Sequence, residues 1–361
     1  FLVISGSRGI PLYGPSGASA HLRGVCDALI PHAKQVTVAV PRLMDDRGEV
    51  DEKLNVQTTT FEPRHWSWLP RSLRERGECW DNRQLIRLAM REHGKPTAIY
   101  ERHALFCDGG MQLAKRLSIP RVVELNAPLA LERQRYDPLY NPYIATRIER
   151  QTLQSADKVL AVSAWLANWA VDTVGCHPDR VVHAPNGVRV RLEGDRARIR
   201  SELGIEKKLV LGFVGSMKPW HGLERIPGLL NALPEAVLLV VGDGPTQLPD
   251  HPRVISVGRV PPDQLHHMVA AMDVGLAPYA NDAPPWFCPL KIVEYRAQAV
   301  PVVAADIGDC RELIGANGEV IGVNDPLIWA AAIRRVVKLP RRYSIRSWDE
   351  AISPAVQVLL G

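Results

Sequence analysis

Lys218 and His221 stand three residues apart in GFVGSMKPWHG (residues 212–222), directly after an apolar run that reads as a buried strand. Gly215 allows the chain a sharp exit from that strand. A cation and an imidazole at a strand-to-helix turn are placed to grip a diphosphate. Further on, CPLKIVEY (residues 288–295) opens a helix. Pro289 fits the first turn, where its missing N–H is harmless. The N–H groups of Phe287, Cys288 and Leu290 then face outward as anion donors. Glu294 lies deeper, on an otherwise apolar face, where a carboxylate needs either a ribose diol or an internal donor. Together these groups offer what a nucleoside diphosphate requires. Each also has an ordinary reading, as an exposed lysine and histidine on a loop and a glutamate satisfied inside the fold. The chain has no G-x-x-x-x-G-K-[ST] phosphate loop and no G-x-G-x-x-G after a strand.

The elements that must hold these residues follow one rhythm. Short apolar strands alternate with amphipathic helices, which predicts parallel sheets covered by helices on both faces. Strands are expected at residues 1–5, 35–40, 97–100, 121–125, 158–162 and 181–184. Helices are expected at 18–30, 109–117 and 143–155, with a short one from Ala164. Residues 41–95 are polar, rich in arginine and tryptophan, and yield no assignment. A second run of strands follows at 209–214, 236–241, 254–257, 274–277 and 300–304, with a helix near 326–337 and another at the end of the chain. The expected organisation is a Rossmann-like domain over residues 1–187, a second over 188–345, and a C-terminal helix over 346–361 that crosses back to the first. In such α/β domains ligands bind outside the carboxyl ends of the strands. GDGP (residues 242–245) and VGRV (residues 257–260) end two of them, so backbone near Arg259 and Val260 can meet a base or a sugar.

Length and composition agree with this division. At 361 residues the chain exceeds one ordinary domain. Its net charge of +5 is modest and spread along the chain, which suits a small anion and does not argue for nucleic acid. The six cysteines show no C-x-x-C spacing, so no zinc or disulfide framework is expected and a reducing cytoplasm fits. FLVISGSRGI does not have the build of a signal peptide, and no run reaches transmembrane length.

These motifs, in this order, resemble the retaining glycosyltransferases of family 4, which have the GT-B fold: two Rossmann-like, doubly wound domains facing each other across a cleft. The strand–G–x–x–K–P–W–H–G turn and the P-L-K-x-x-E-Y helix start resemble one branch of that family. GPSGASAH (residues 14–21), YERH (100–103), ELNAP (124–128) and PNGV (185–188) resemble its first domain. By that resemblance Glu294 holds the donor ribose, and Phe287, Cys288, Pro289, Leu290 and Lys291 form the phosphate-binding turn. Gly215, Ser216, Lys218 and His221 occupy the diphosphate turn. Gly17 and Ala18 approach the phosphates from the first domain, and Arg259 and Val260 line the base. Three positions depart from the family pattern: Trp286 replaces a glutamate, Ser216 an arginine and Asn126 a histidine.

The resemblance implies transfer of a sugar from a nucleoside diphosphate to an acceptor hydroxyl, with Lys218, His221 and Glu294 as catalytic groups. No D-x-D motif stands out, and no metal or other cofactor is expected. His21, Glu101, Arg102, His103 and Asn126 are the acceptor candidates, though His21 also reads as a packed helix residue and Glu101-Arg102 as a local ion pair. RHWSWLPRSLRER (residues 64–76) has three readings: an acceptor lid, a contact with the inner membrane surface, or a loop with buried tryptophans. A binding protein without turnover and a sugar-nucleotide epimerase are the rival functions.

Overall fold

The computed structural model describes all residues except 8, 15, 42–53, 64–67, 189–192 and 344–345. The chain divides into two units, Phe1–Pro185 with Trp348–Gly361, and Asn186–Ser347.

The first unit carries a seven-stranded parallel sheet in the order β3-β2-β1-β4-β5-β6-β7. Its elements are β1 (Leu2–Ser5), α1 (Gly17–Leu29), β2 (Thr37–Pro41), β3 (Gln57–Phe61), α2 (Arg71–His93), β4 (Ile99–Arg102), α3 (Gly109–Leu117), β5 (Arg121–Leu125), α4 (Leu129–Tyr136), α5 (Pro142–Gln154), β6 (Lys158–Ala161), α6 (Ala164–Trp169) and β7 (Val181–His183). Val3 pairs with Val38 on one side and with Tyr100 on the other, so strand order reverses beside β1. That reversal opens a crevice at the carboxyl ends of β1 and β4.

The second unit carries a six-stranded sheet in the order β10-β9-β8-β11-β12-β13, also parallel. It runs through α7 (Arg196–Glu202), β8 (Leu209–Val214), α8 (Ile226–Ala232), β9 (Ala236–Val241), β10 (Val254–Ser256), α9 (Pro262–Ala270), β11 (Val274–Ala277), α10 (Leu290–Ala297), β12 (Val302–Ala305), α11 (Cys310–Ile314), β13 (Gly318–Ile321) and α12 (Pro326–Val336). Every residue of β9 is buried, as for a strand covered on both faces. The order reverses between β8 and β11. The last helix, α13 (Trp348–Leu360), belongs to the first unit. Its Trp348 ring lies 4.6 Å from that of His21 on α1.

The expected alternation of strands and helices is present, with five additions. β3 and α2 fill the stretch that yielded no assignment, and α4, α7 and β13 were not expected. Edge strand β3 is polar and buries only Thr59, whose hydroxyl donates to Glu92 at 2.8 Å. The 23-residue α2 buries Glu75, Asp81 and Asn82 beside Leu85, Ile86 and Ala89, so its inward stripe has no apolar period to read. The expected strand at residues 97–100 lies two residues later, at Ile99–Arg102, which draws Glu101 and Arg102 into the sheet. Of the arginine–tryptophan stretch, residues 64–67 lie outside the described residues. The rest leads into α2, and Trp68 is exposed rather than buried.

Candidate functional site

The site of the second unit grows out of the reversal between β8 and β11. Gly215 leaves β8 at φ +152°, and a Cβ there would come within 3.3 Å of the Lys291 amine and 3.5 Å of the His221 ring. Lys218 is exposed and precedes a short 3₁₀ turn, Pro219–His221. Gly222 closes that turn at φ +67°, where a side chain would collide with the Pro278 carbonyl beyond β11. Gly222 thus lets its turn approach the end of β11 more closely than any side chain permits, and Gly215 leaves room for the Lys291 amine and the His221 ring.

His221 is buried, edge-on to Phe213 at 5.4 Å and to Tyr279 at 5.6 Å. Its Nδ1 accepts the Lys218 backbone N–H at 3.1 Å, which leaves the ring proton on Nε2. Burial first, then the charges of Lys291 and Lys218, push its pKa down to about 2. His221 is therefore a neutral N–H donor rather than a second cation.

Lys291 supplies the second amine of the site. It is 92 % buried (8 % exposed), lies 4.0 Å from the Phe213 ring centroid, and its amine has no hydrogen-bond partner. Its place inside an amphipathic-looking helix start hid this, because a lysine one residue into a helix reads as solvated.

The turn before α10 is pinned on several sides. Pro289 is the N-cap rather than the first helical residue, and the first helical hydrogen bond runs from Ile292 N–H to the Pro289 carbonyl at 3.1 Å. The N–H groups of Leu290 and Lys291 precede that bond, as at any helix start. The Asn186 amide donates to the Cys288 carbonyl at 3.0 Å, and the Asp309 N–H donates to the Phe287 carbonyl at 3.3 Å. Tyr295 ties the helix to the sheet: its hydroxyl accepts the Val214 N–H at 2.9 Å and reaches the Leu276 carbonyl at 3.1 Å. Its ring fills the space that Gly275 leaves open. Glu294 is half-buried on the same helix and has a partner within the protein. Trp286 is buried at 3 % exposure, and Ser216 is exposed. Arg259 pairs with Asp243 at 2.6 Å, joining the turns after β9 and β10, with Val260 beside it half-buried.

In the first unit Ser16 caps α1, its hydroxyl accepting the Ser19 N–H at 3.1 Å, so Gly17 and Ala18 are the first helical residues. The acceptor candidates split into two groups. His21, Arg102 and Asn126 converge on Glu124, with the imidazole Nε2 at 2.9 Å, the guanidinium at 2.7 Å and the amide also donating. Tyr100 donates to the other carboxylate oxygen. Burial opposes the charge on Glu124, but His21, Arg102 and Asn126 outweigh it and hold the carboxyl well below its usual range. The alternation of β4 sends Glu101 to the opposite face, where it pairs with Arg121 at 2.6 Å. His103 meets Glu149 at 3.1 Å. Glu101 and His103 are therefore corrected to buried ion-pair and hydrogen-bond partners inside the unit, and Glu101-Arg102 is not a local pair. Glu124, at the hub, was quoted in a motif but assigned no role. A glutamate in an apolar strand is the signal that marks it.

Among the described residues no helix is long and apolar enough to cross a membrane.

Residues 15–192 match the family model Glycosyltransferase Family 4, and residues 208–338 match Glycosyl transferases group 1. A D-inositol 3-phosphate glycosyltransferase from Geodermatophilus obscurus is 32 % identical over 222 residues, covering 52 % of this chain and 47 % of the relative. A GDP-mannose-dependent alpha-mannosyltransferase from Mycolicibacterium smegmatis is 27 % identical over 67 % of this chain and 65 % of its own length. The chain spans about half to two thirds of the length of the curated relatives it matches. Among solved structures, Anabaena HepE with UDP and glucose superposes with a TM-score of 0.66 at 19 % identity, over 99 % of this chain and 94 % of that one. Sucrose-phosphate synthase from Thermosynechococcus elongatus does so with 0.70 at 16 %, over 100 % and 94 %. At these identities the likeness speaks for the GT-B fold.

Proposed function

We propose that this chain, with its Family 4 match followed by a group 1 match, is a GT-B glycosyltransferase that moves a sugar from a nucleoside diphosphate to an acceptor hydroxyl with retention at the anomeric carbon. The observation that carries this reading is the meeting of the Lys291 amine and the His221 ring at Gly215, with Lys218 tied to His221 through its backbone and α10 starting beside them, at the strand-order reversal of the second unit. Diphosphate binding there also accords with the UDP held by the HepE structure.

As the glycosidic C–O bond breaks, negative charge grows on the departing diphosphate. Donors fixed before the reaction stabilise that charge without reorganising. Lys218 supplies a charge at the rim, His221 a neutral N–H, and α10 its first amides. Contacts to a charged group are worth about 1.5–3 kcal/mol each. We assign the ribose to Glu294 and the base to backbone near Arg259 and Val260. The acceptor proton passes to the leaving phosphate oxygen as the new C–O bond forms on the same face. With that proton accounted for and cations in place, no metal ion is required, and turnover in excess EDTA checks this. Acceptor binding falls to the first unit, where His21, Arg102 and Asn126 surround Glu124.

The deciding experiment is thermal-shift screening against UDP-, GDP-, ADP- and dTDP-sugars, followed by nucleotide release with a panel of hydroxyl acceptors and assignment of the product anomer. Binding with no release across the panel would turn the assignment into a binding protein. An inverted anomer would end the retaining mechanism.

We also propose that the first unit touches an anionic lipid surface. Trp68, Tyr140 and Tyr143 are exposed, and Arg71 donates to the Tyr140 hydroxyl at 2.8 Å, so aromatic and basic groups share one patch. Failure to float with anionic liposomes would remove this contact.

A further inference from the structure

Lys291 presents a problem that the donor site alone does not explain. Its amine is buried without a hydrogen bond, and no carboxylate pairs with it among the described residues. The walls around it are aromatic, with the Phe213 ring centroid at 4.0 Å and the Tyr279 centroid at 5.1 Å. Ring faces attract a cation but do not neutralise it. A buried ammonium with no anion is costly, and proteins release that cost by shedding the proton. On the remaining side stands the Gly215 turn, where any side chain would press on the amine. On that side the cover includes bare glycine backbone, at the carboxyl end of β8.

We propose that Lys291 is a cation completed by its ligand: the diphosphate of the donor supplies the counter-charge that the fold withholds, so binding takes up a proton at this side chain. This rests on the donor-site reading above and deepens it, because it makes affinity depend on a proton that the free protein does not hold at alkaline pH.

Burial holds the free Lys291 amine down at about 7. The titratable groups that face it come from β8, the end of β11, α10 and the start of α11. On the β8 side, His221 is neutral above about 2, and Lys218 stands at the rim. From beyond β11, Tyr279 is pushed well up by burial. On α10 itself, Tyr295 is pushed up and Glu294 lies one turn on. At the start of α11, Asp309 precedes Cys310, which burial raises to about 12. The terminal phosphate of a nucleoside diphosphate, with a second pKa of about 6, is fully ionised above pH 7. A proton taken up between pH 7 and 9 thus reports Lys291.

The test is calorimetric titration of the intact chain with UDP, GDP, ADP and dTDP at pH 7, 8 and 9, each in two buffers of different ionisation enthalpy. For the nucleotide that binds, uptake should approach one proton per site by pH 9, and Kd should rise up to about tenfold per pH unit above 7. Lys291→Met should abolish the uptake, flatten the pH dependence and weaken binding at pH 7, with an unchanged or raised thermal midpoint as proof of folding. Glu294→Gln should weaken binding while leaving the proton count intact. Wild-type binding with no uptake, or uptake that survives in Lys291→Met, overturns the inference and leaves the donor site standing. No binding of any nucleotide removes the donor site and this inference together.

Discussion

At the scale of single residues, the donor site divides labour between a fixed charge, a fixed dipole and a hidden charge. In the proposed reaction the exposed Lys218 meets the charge that develops on the leaving group, so Lys218→Ala should lower kcat about 100- to 1,000-fold with a smaller change in nucleotide affinity. Glu294→Ala should do the reverse and raise Kd for the free nucleotide. Steady-state kinetics beside calorimetry separates the two, and equal, negligible effects would remove both roles. His221 should show one Nε2–H tautomer from pH 5 to 9 in nitrogen-15 NMR, since its pKa lies near 2. A ring that titrates near neutrality would contradict the hydrogen bond from Lys218. Lys291 makes a further prediction for the free protein. Its folded pKa of about 7 lies below the unfolded value near 10.4. Between those values the unfolded chain binds the extra proton, so stability rises with pH, by up to about 1.4 kcal/mol per unit. The rise begins near pH 7 and is complete near 10.4. Denaturation of the second unit followed from pH 7 to 9 should show it, and Lys291→Met should lose it.

At the scale of elements, polar side chains do work usually left to apolar stripes. Glu75 on α2 accepts the Tyr140 and Asn141 N–H groups at 2.8 and 2.7 Å, fixing the connection between α4 and α5. Glu75→Ala strands those two N–H groups and takes a partner from the Asn141 amide, and stability measured in urea should fall by about 1.5–3 kcal/mol. Asn82 accepts the Gly109 N–H at 2.9 Å and so anchors the start of α3 on the same helix. This is why α2 was not legible: sequence periodicity counts apolar residues, and here the inward face holds carboxylates and amides whose partners come from elsewhere in the chain. β13 escaped notice for a related reason, since an edge strand with three half-buried residues has little alternation to read. α10 was legible because CPLKIVEY combines a proline with an apolar run. What it packs against was not, and Tyr295→Phe, which removes the acceptor for the Val214 N–H, should loosen the join of α10 to β8.

At the scale of the whole molecule, the last helix stabilises the unit where the chain begins. Trp348 lies on His21, and a Cβ on Gly24 would strike its ring. Trp348→Ala should cost the first unit about 3–5 kcal/mol through the cavity it leaves, read as earlier unfolding of that unit in denaturant while the second keeps its midpoint. The order of most strands and helices, the tandem repetition of one architecture and the positions of the glycine turn after β8 and the start of α10 were written in the sequence. Local properties carry them: apolar period, turn-forming glycine and proline, and the charges placed after strands. Which charges remain charged was decided by tertiary structure alone. His221 is a neutral donor, the Lys291 amine is buried, and Glu101 and His103 went into the interior, because protonation and partnership depend on burial and on neighbours from distant segments. His21, Arg102 and Asn126 share one carboxylate although they are spread over more than a hundred positions, and no spacing along a chain records such a meeting.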